Sequence, residues 1–132
     1  SHKSSTGSQA QFDRWHREVI LGRLTTECPV SWDYGTRLTV GMAQKLVNLH
    51  CKALWALGLV PESYSQFFHP IIDSTTLELL KRNIAWTKLD SYEAYMELQL
   101  AFRAVAQEHP YPLALECQYW NDHSKRASSS GT

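Results

Sequence analysis

The side chains best suited to chemistry lie in and just after "YGTRLTVGMAQKLVNLHCKALWALG". Arg37, Lys45 and Lys52 are the cations of this stretch, and no acid occurs between Asp33 and Glu62. On a helix, no glutamate would sit four residues from either lysine to pair with it. At 100° per residue Gln44 and Asn48 fall on the same edge as Lys45 and Lys52, with Arg37 alongside. That edge is cationic and rich in hydrogen-bond donors, the chemistry of a site for phosphate or carboxylate. Asp73, 28 residues beyond Lys45, and His69 in "HPIID" are the groups that could join it. Each also has a plainer role. Lysines snorkel from the wet edge of a core helix, and an Asp before Ser-Thr-Thr is a standard N-cap worth ~1 kcal/mol. His69 before Pro70 can simply close a loop.

Other chemistries find less support. The histidines do not cluster with acids or cysteines at ligand spacing, so no metal site and no cofactor are expected. No Gly-rich phosphate loop, paired-carboxylate motif or Ser/His/Asp order stands out. Cys28, Cys51 and Cys117 cannot all pair within the chain and match no zinc or Cys-x-x-Cys spacing, which favours a reduced, cytoplasmic setting.

The elements that must position these residues are helical. "QFDRWHREVILGRL" sets Phe12, Trp15, Val19 and Ile20 on one face. "TTECPVSWDYGTR" reads as a loop broken by Pro29 and Gly35 and anchored by Trp32. A second helix spans residues 38–57 and stops at Gly58, suited to the left-handed position after a helix. Its apolar arc, from Leu38 and Met42 through Leu46 and Leu49 to Leu57, covers more than half the circumference. This predicts a core helix whose narrow edge of Gly41, Gln44, Lys45, Asn48 and Lys52 faces out, with His50 and Cys51 packed inside. Asp73 or Ser74 caps a short third helix. A fourth starts where Asp90 and Glu93 have capping-box spacing, and buries Tyr95, Leu98, Phe102 and Val105. "LALECQYWND" makes the last. The sequence thus predicts an all-α, compact single domain of about five helices around a central apolar helix, spanning residues 10–123 between disordered tails at 1–9 and 124–132.

The order "YGTRLTVGMAQK", a helix, then "HPIID" heading another helix resembles the helix-hairpin-helix DNA glycosylases, closest to the oxidised-guanine branch. The resemblance covers residues 34–80. In that family a lysine opening the second hairpin helix attacks the sugar carbon of the damaged nucleotide, forming a Schiff base that can cleave the strand. An aspartate capping a later helix assists. The resemblance implies Lys45 as nucleophile, with Lys52 as fallback, and Asp73 as assistant; Arg37, Gln44, Asn48, Lys52 and His69 would bind nucleic acid. The family's paired-glycine turn is incomplete here, Gly41 alone standing for it. Pro70 lies three residues before Asp73 rather than two. "AQKLVNLHCKALW" and "WTKLDSYEAY" are also similar to small uncharacterised bacterial helical proteins, which implies no activity. A lysine nucleophile must be neutral when it attacks, so burial or a nearby cation must act on it. An extruded base would need stacking partners, for which Trp55, Tyr64, Phe67 and Phe68 are near in sequence. Arg37, Lys52, Lys81 and Arg82 could meet phosphates.

Composition sets limits on partners. Lys+Arg and Asp+Glu are both 13, so no global charge draws the chain onto nucleic acid or membrane, and any such contact must come from local segregation. No apolar run approaches the ~20 residues that cross a bilayer, and no charged-then-apolar leader is visible. The second function class is a non-catalytic module binding a protein partner through Tyr111, Tyr119 and Trp120.

Overall fold

The computed structural model describes residues 8–26 and 37–130, with side chains up to 122. Six α-helices follow one another: α1 (Gln9–Val19), α2 (Val40–Ala56), α3 (Glu62–Ser65), α4 (Ser74–Leu79), α5 (Tyr92–Val105) and α6 (Pro112–Ser130). A π-helical turn, Ile20–Leu24, extends α1, and 3-10 turns at Trp86–Lys88 and Ala106–Glu108 bracket α5. There is no strand among the described residues, so the all-α reading holds. No helix is long and apolar enough to cross a membrane among the described residues. The expectations for Cys28, Trp32 and the loop around Pro29 and Gly35 lie outside them.

Helix ends follow local chemistry. Ser8, Thr39, Asp73 and Ser91 cap α1, α2, α4 and α5, each accepting a backbone N–H of the first turn on its side-chain oxygen. Gly58, at φ +69°, closes α2 in the left-handed region that a side chain disfavours. Several boundaries differ from expectation: among the described residues there are six α-helices rather than about five, α1 begins at Gln9 inside the stretch expected as a tail, and α2 spans Val40–Ala56 rather than 38–57. Ser91, not Asp90, caps α5, because Asp90 is turned back to the Arg37 guanidinium at 2.6 Å and the Val40 N–H at 3.2 Å. The last helix continues to Ser130, past residue 123.

The main core gathers Ile20 of the π-helical turn, Val40 and Ala43 of α2, Ile72 just before α4, Leu77 of α4, and Tyr92, Tyr95 and Leu98 of α5. A second cluster sets Cys51 against Phe68 and Leu113, and a third sets Phe102 and Ala106 against Leu115. On α5, Tyr95, Leu98 and Phe102 are buried as expected, but Val105 is half exposed and Ala106 takes the inward place. On α1 the fully buried residue is His16, while Trp15 is half exposed.

The largest departure concerns α2, which is turned about its axis from the expected orientation, with Lys45 and Lys52 of the expected outer edge still partly exposed. Gly41, Gln44 and Asn48 of the supposed outer edge are buried, and Leu46, Leu49, His50, Ala53 and Leu57 of the supposed core arc are exposed. Cys51 is inside as expected; His50 is not. Hydrophobic area alone would forbid this orientation. What permits it is a full set of hydrogen-bond partners for the inward amides, supplied by the backbone of Gly41, Pro70 and Ile72 and by the side chains of His16 and Tyr95.

Candidate functional site

Residues 69–72 belong to no helix, so their backbone groups need partners from elsewhere. Side chains supply them. Gln44 grips Ile72 twice: its amide donates to the Ile72 carbonyl at 2.6 Å and its oxygen accepts the Ile72 N–H at 3.1 Å. The Pro70 carbonyl accepts from Gln99 at 2.8 Å and from Asn48 at 3.3 Å. The Ile71 N–H donates to the fully buried Glu116 carboxylate at 2.8 Å, and the Ile71 carbonyl accepts from Thr76 Oγ1 at 2.7 Å. The inward polar face of α2 thus holds "HPIID" in place.

Asn48 continues this into a second layer. Its amide donates to Gln44 Oε1 at 2.9 Å and to the Tyr95 hydroxyl at 3.0 Å, and its oxygen lies 2.7 Å from His16 Nε2. That oxygen only accepts, so His16 carries its proton on Nε2, and Nδ1 accepts from the Tyr92 hydroxyl at 2.8 Å. His69 repeats the arrangement: Nε2 donates to Asp13 at 2.7 Å and Nδ1 accepts from Tyr95 at 2.6 Å. Arg103 completes the Asp13 pairing at 2.8 Å. Burial, with the His69 ring tilted against it at 4.2 Å, holds His16 down to about 3, and burial also lowers His69. Both rings are therefore neutral at pH 7. For Asp13 burial acts upward, but the hydrogen bonds from His69 and Arg103 outweigh it and hold the carboxyl well below its ordinary range.

The product of this scaffold is the position of Asp73. As N-cap of α4 it spends Oδ1 on the Thr75 and Thr76 N–H groups at 3.1 and 3.2 Å, while its own N–H donates to Thr76 Oγ1 at 2.9 Å. Oδ2 faces Lys45 Nζ at 3.6 Å. Lys45, in the second turn of α2, keeps 36% of its side chain exposed while Asp73 keeps 6%. Its ammonium also lies 4.6 Å from the centre of the Trp86 ring, within cation–π range. Trp86 reaches this place because Gly41 lets α2 press against the 3-10 turn. The Gly41 N–H donates to the Leu89 carbonyl at 2.7 Å, and a Cβ there would stand 1.8 Å from the Trp86 oxygen.

The structure therefore joins Lys45 to Asp73 and separates the other candidates from them. Gln44, Asn48 and His69 are fully buried and bonded to protein, so they present nothing to an incoming anion. Lys52 pairs with Glu116 at 2.7 Å, and Arg37 with Asp90. The suggested stacking partners also lie elsewhere: Phe68 is buried, and Trp55 donates its indole N–H to the Tyr111 hydroxyl at 3.0 Å. Trp86 was the aromatic to find, yet it lies 41 residues from Lys45, and no local spacing links them. Asp13, His16, Gln99 and Glu116 were likewise invisible as members of one network. Among the described residues no group of three or more His, Cys, Asp or Glu could hold a metal ion. No protein family matches the chain, and neither do any curated proteins or solved structures.

Proposed function

We propose that Lys45 and Asp73 form a Schiff-base site for a nucleic-acid sugar, in a DNA glycosylase/lyase-like protein. One observation carries the reading: a lysine and a helix-capping aspartate 28 residues apart meet at 3.6 Å with the lysine still open to solvent. The Lys45 amine adds to C1′ of the damaged nucleotide as the base departs with the bonding electrons. Attack requires the ammonium to lose a proton, and Asp73 Oδ2 is the carboxylate oxygen facing it, Oδ1 being committed to the cap. Trp86 beside the ammonium offers a ring for the displaced base. Lys81 is exposed, while Arg37 and Arg82 stand in exposed ion pairs that phosphate could exchange into. Such a footprint is small, so binding is weak and steeply salt-dependent.

Borohydride trapping on abasic-site and oxidised-guanine duplexes tests this. A covalent protein–DNA band should form with the wild type and with Lys52→Gln, and vanish with Lys45→Gln. No band on either duplex would sink the lyase reading. A different observation favours the second reading, a non-catalytic module for a protein partner. The exposed leucines of α2 form a contiguous apolar face, a feature that marks interaction surfaces. Of the aromatics first suspected, Trp120 is exposed, and Tyr111 and Tyr119 are half-buried.

A further inference from the structure

Met42, Leu46, Leu49, Ala53 and Ala56 follow one another along α2 at alternating spacings of four and three residues. That is the repeat of a coiled-coil seam, and here it lies on the outside of the molecule. Leu46 and Leu49 are 55% and 51% exposed, Ala53 and Ala56 are exposed, and Leu57 beside them is 71% exposed. A groove of about 320 Å³ runs along one flank, between Trp15 and Val19 of the first helix and Leu46 and His50 of α2. On the other flank Lys45 and Lys52 are engaged by Asp73 and Glu116. The remaining exposed apolar residues, such as Ile84 and Leu100, belong to other elements.

We infer that a second copy of this chain docks on this stripe, α2 against α2, antiparallel about a two-fold axis. A two-fold contact sets a patch against itself, so the patch must be self-complementary. This one is, in charge and in size. The seam residues carry no charge, and Lys45 and Lys52, on a flank that would face its own copy, are already paired with Asp73 and Glu116. The large side chains Met42, Leu46 and Leu49 occupy the first half of the stripe and the small Ala53 and Ala56 the second. Antiparallel pairing sets Leu49 against Ala53 of the partner subunit and Leu46 against Ala56 of the partner subunit. Parallel pairing would stack leucine on leucine and leave gaps between alanines, which close packing disfavours. The inference gives the interaction reading a definite partner, and it stands whether or not Lys45 is a nucleophile.

Sedimentation equilibrium of the full chain, from roughly 1 to 500 µM, is the test. The wild type should show a monomer–dimer equilibrium. Leu49→Glu should raise the dissociation constant about tenfold or more, with circular dichroism unchanged and Tm unchanged at a dilution where the wild type is monomeric. Leu100→Glu, on an exposed position of α5, should leave the equilibrium as it was. A wild type that stays monomeric throughout overturns self-pairing. So does a Leu49→Glu chain of lower Tm at that same dilution, which would mean that the stripe is packed within one molecule. A dimer that survives Leu49→Glu, or that Leu100→Glu weakens equally, removes this face as the interface and leaves the interaction reading standing.

Discussion

Replacing Asn48 with alanine separates the two orientations of α2 more sharply than any other single change. On an outward edge the substitution would be neutral or slightly stabilising, because alanine is the better helix former by about 0.6 kcal/mol. In the observed fold Asn48 is fully buried and bonded on both ends of its amide. Its partners fare unequally on its loss. Tyr95 keeps Gln99 and His69, Gln44 keeps the Ile72 N–H, and the Pro70 carbonyl keeps Gln99. Among the described residues His16 Nε2–H keeps nothing, since its one hydrogen-bond partner there was the lost oxygen. An orphaned buried donor costs about 2 kcal/mol and a further lost hydrogen bond about 1. Three missing heavy atoms leave a hole of roughly 40 Å³, which adds about 1 kcal/mol. After the helix-propensity gain, the net loss is about 3 kcal/mol, measured by urea unfolding at unchanged m-value. A change within about 0.5 kcal/mol of zero, or any gain, would refute the claim that the polar edge of α2 is its buried face.

Acid should act through the same network. The folded-state value of His16 lies near 3, below the ~6.5 of an unfolded histidine, so the unfolded chain binds the proton first as pH falls. Stability is therefore full above about pH 6.5 and declines by about 1.4 kcal/mol per pH unit below it, for this ring alone. His69 shifts in the same direction and steepens the fall. Between pH 7 and pH 5 the loss should reach about 2 kcal/mol or more by urea unfolding, and a flat profile over that range would contradict neutral buried rings. Gly41→Ala should destabilise by about 2 to 3 kcal/mol, against its favourable helix propensity, because the new Cβ meets a backbone oxygen that cannot rotate away. Thermal unfolding decides this, and a neutral or raised Tm would show that α2 and the Trp86 turn are not in close contact.

Asp73 illustrates what short-range pattern can carry. Its role as N-cap depends on residues two and three positions later, and so does the end of α2 at Gly58, which depends on one backbone conformation. Such features involve a few neighbouring residues, and they were legible. The meeting of Lys45 with Asp73 was legible only as an order of residues.

Which side of α2 faces inward was legible at Cys51 but not at Gln44 and Asn48. Helical period divides a helix into faces, and a rule based on apolar area assigns the larger apolar face to the core. That rule fails when the polar face is made of amides rather than unpaired charges, since an amide is buried at little cost once all its hydrogen bonds are met. The partners of Gln44 and Asn48 are backbone groups of Pro70 and Ile72 and side chains of His16 and Tyr95, scattered over most of the chain. No local window contains them. The sequence by itself determined that the chain is helical, that Asp73 or its neighbour caps a helix, and that a lysine precedes an aspartate. Only the tertiary structure decided which face is core, which lysine meets the aspartate, and that a leucine–alanine stripe is left to solvent. Those outcomes depend on hydrogen bonds and packing between segments tens of residues apart.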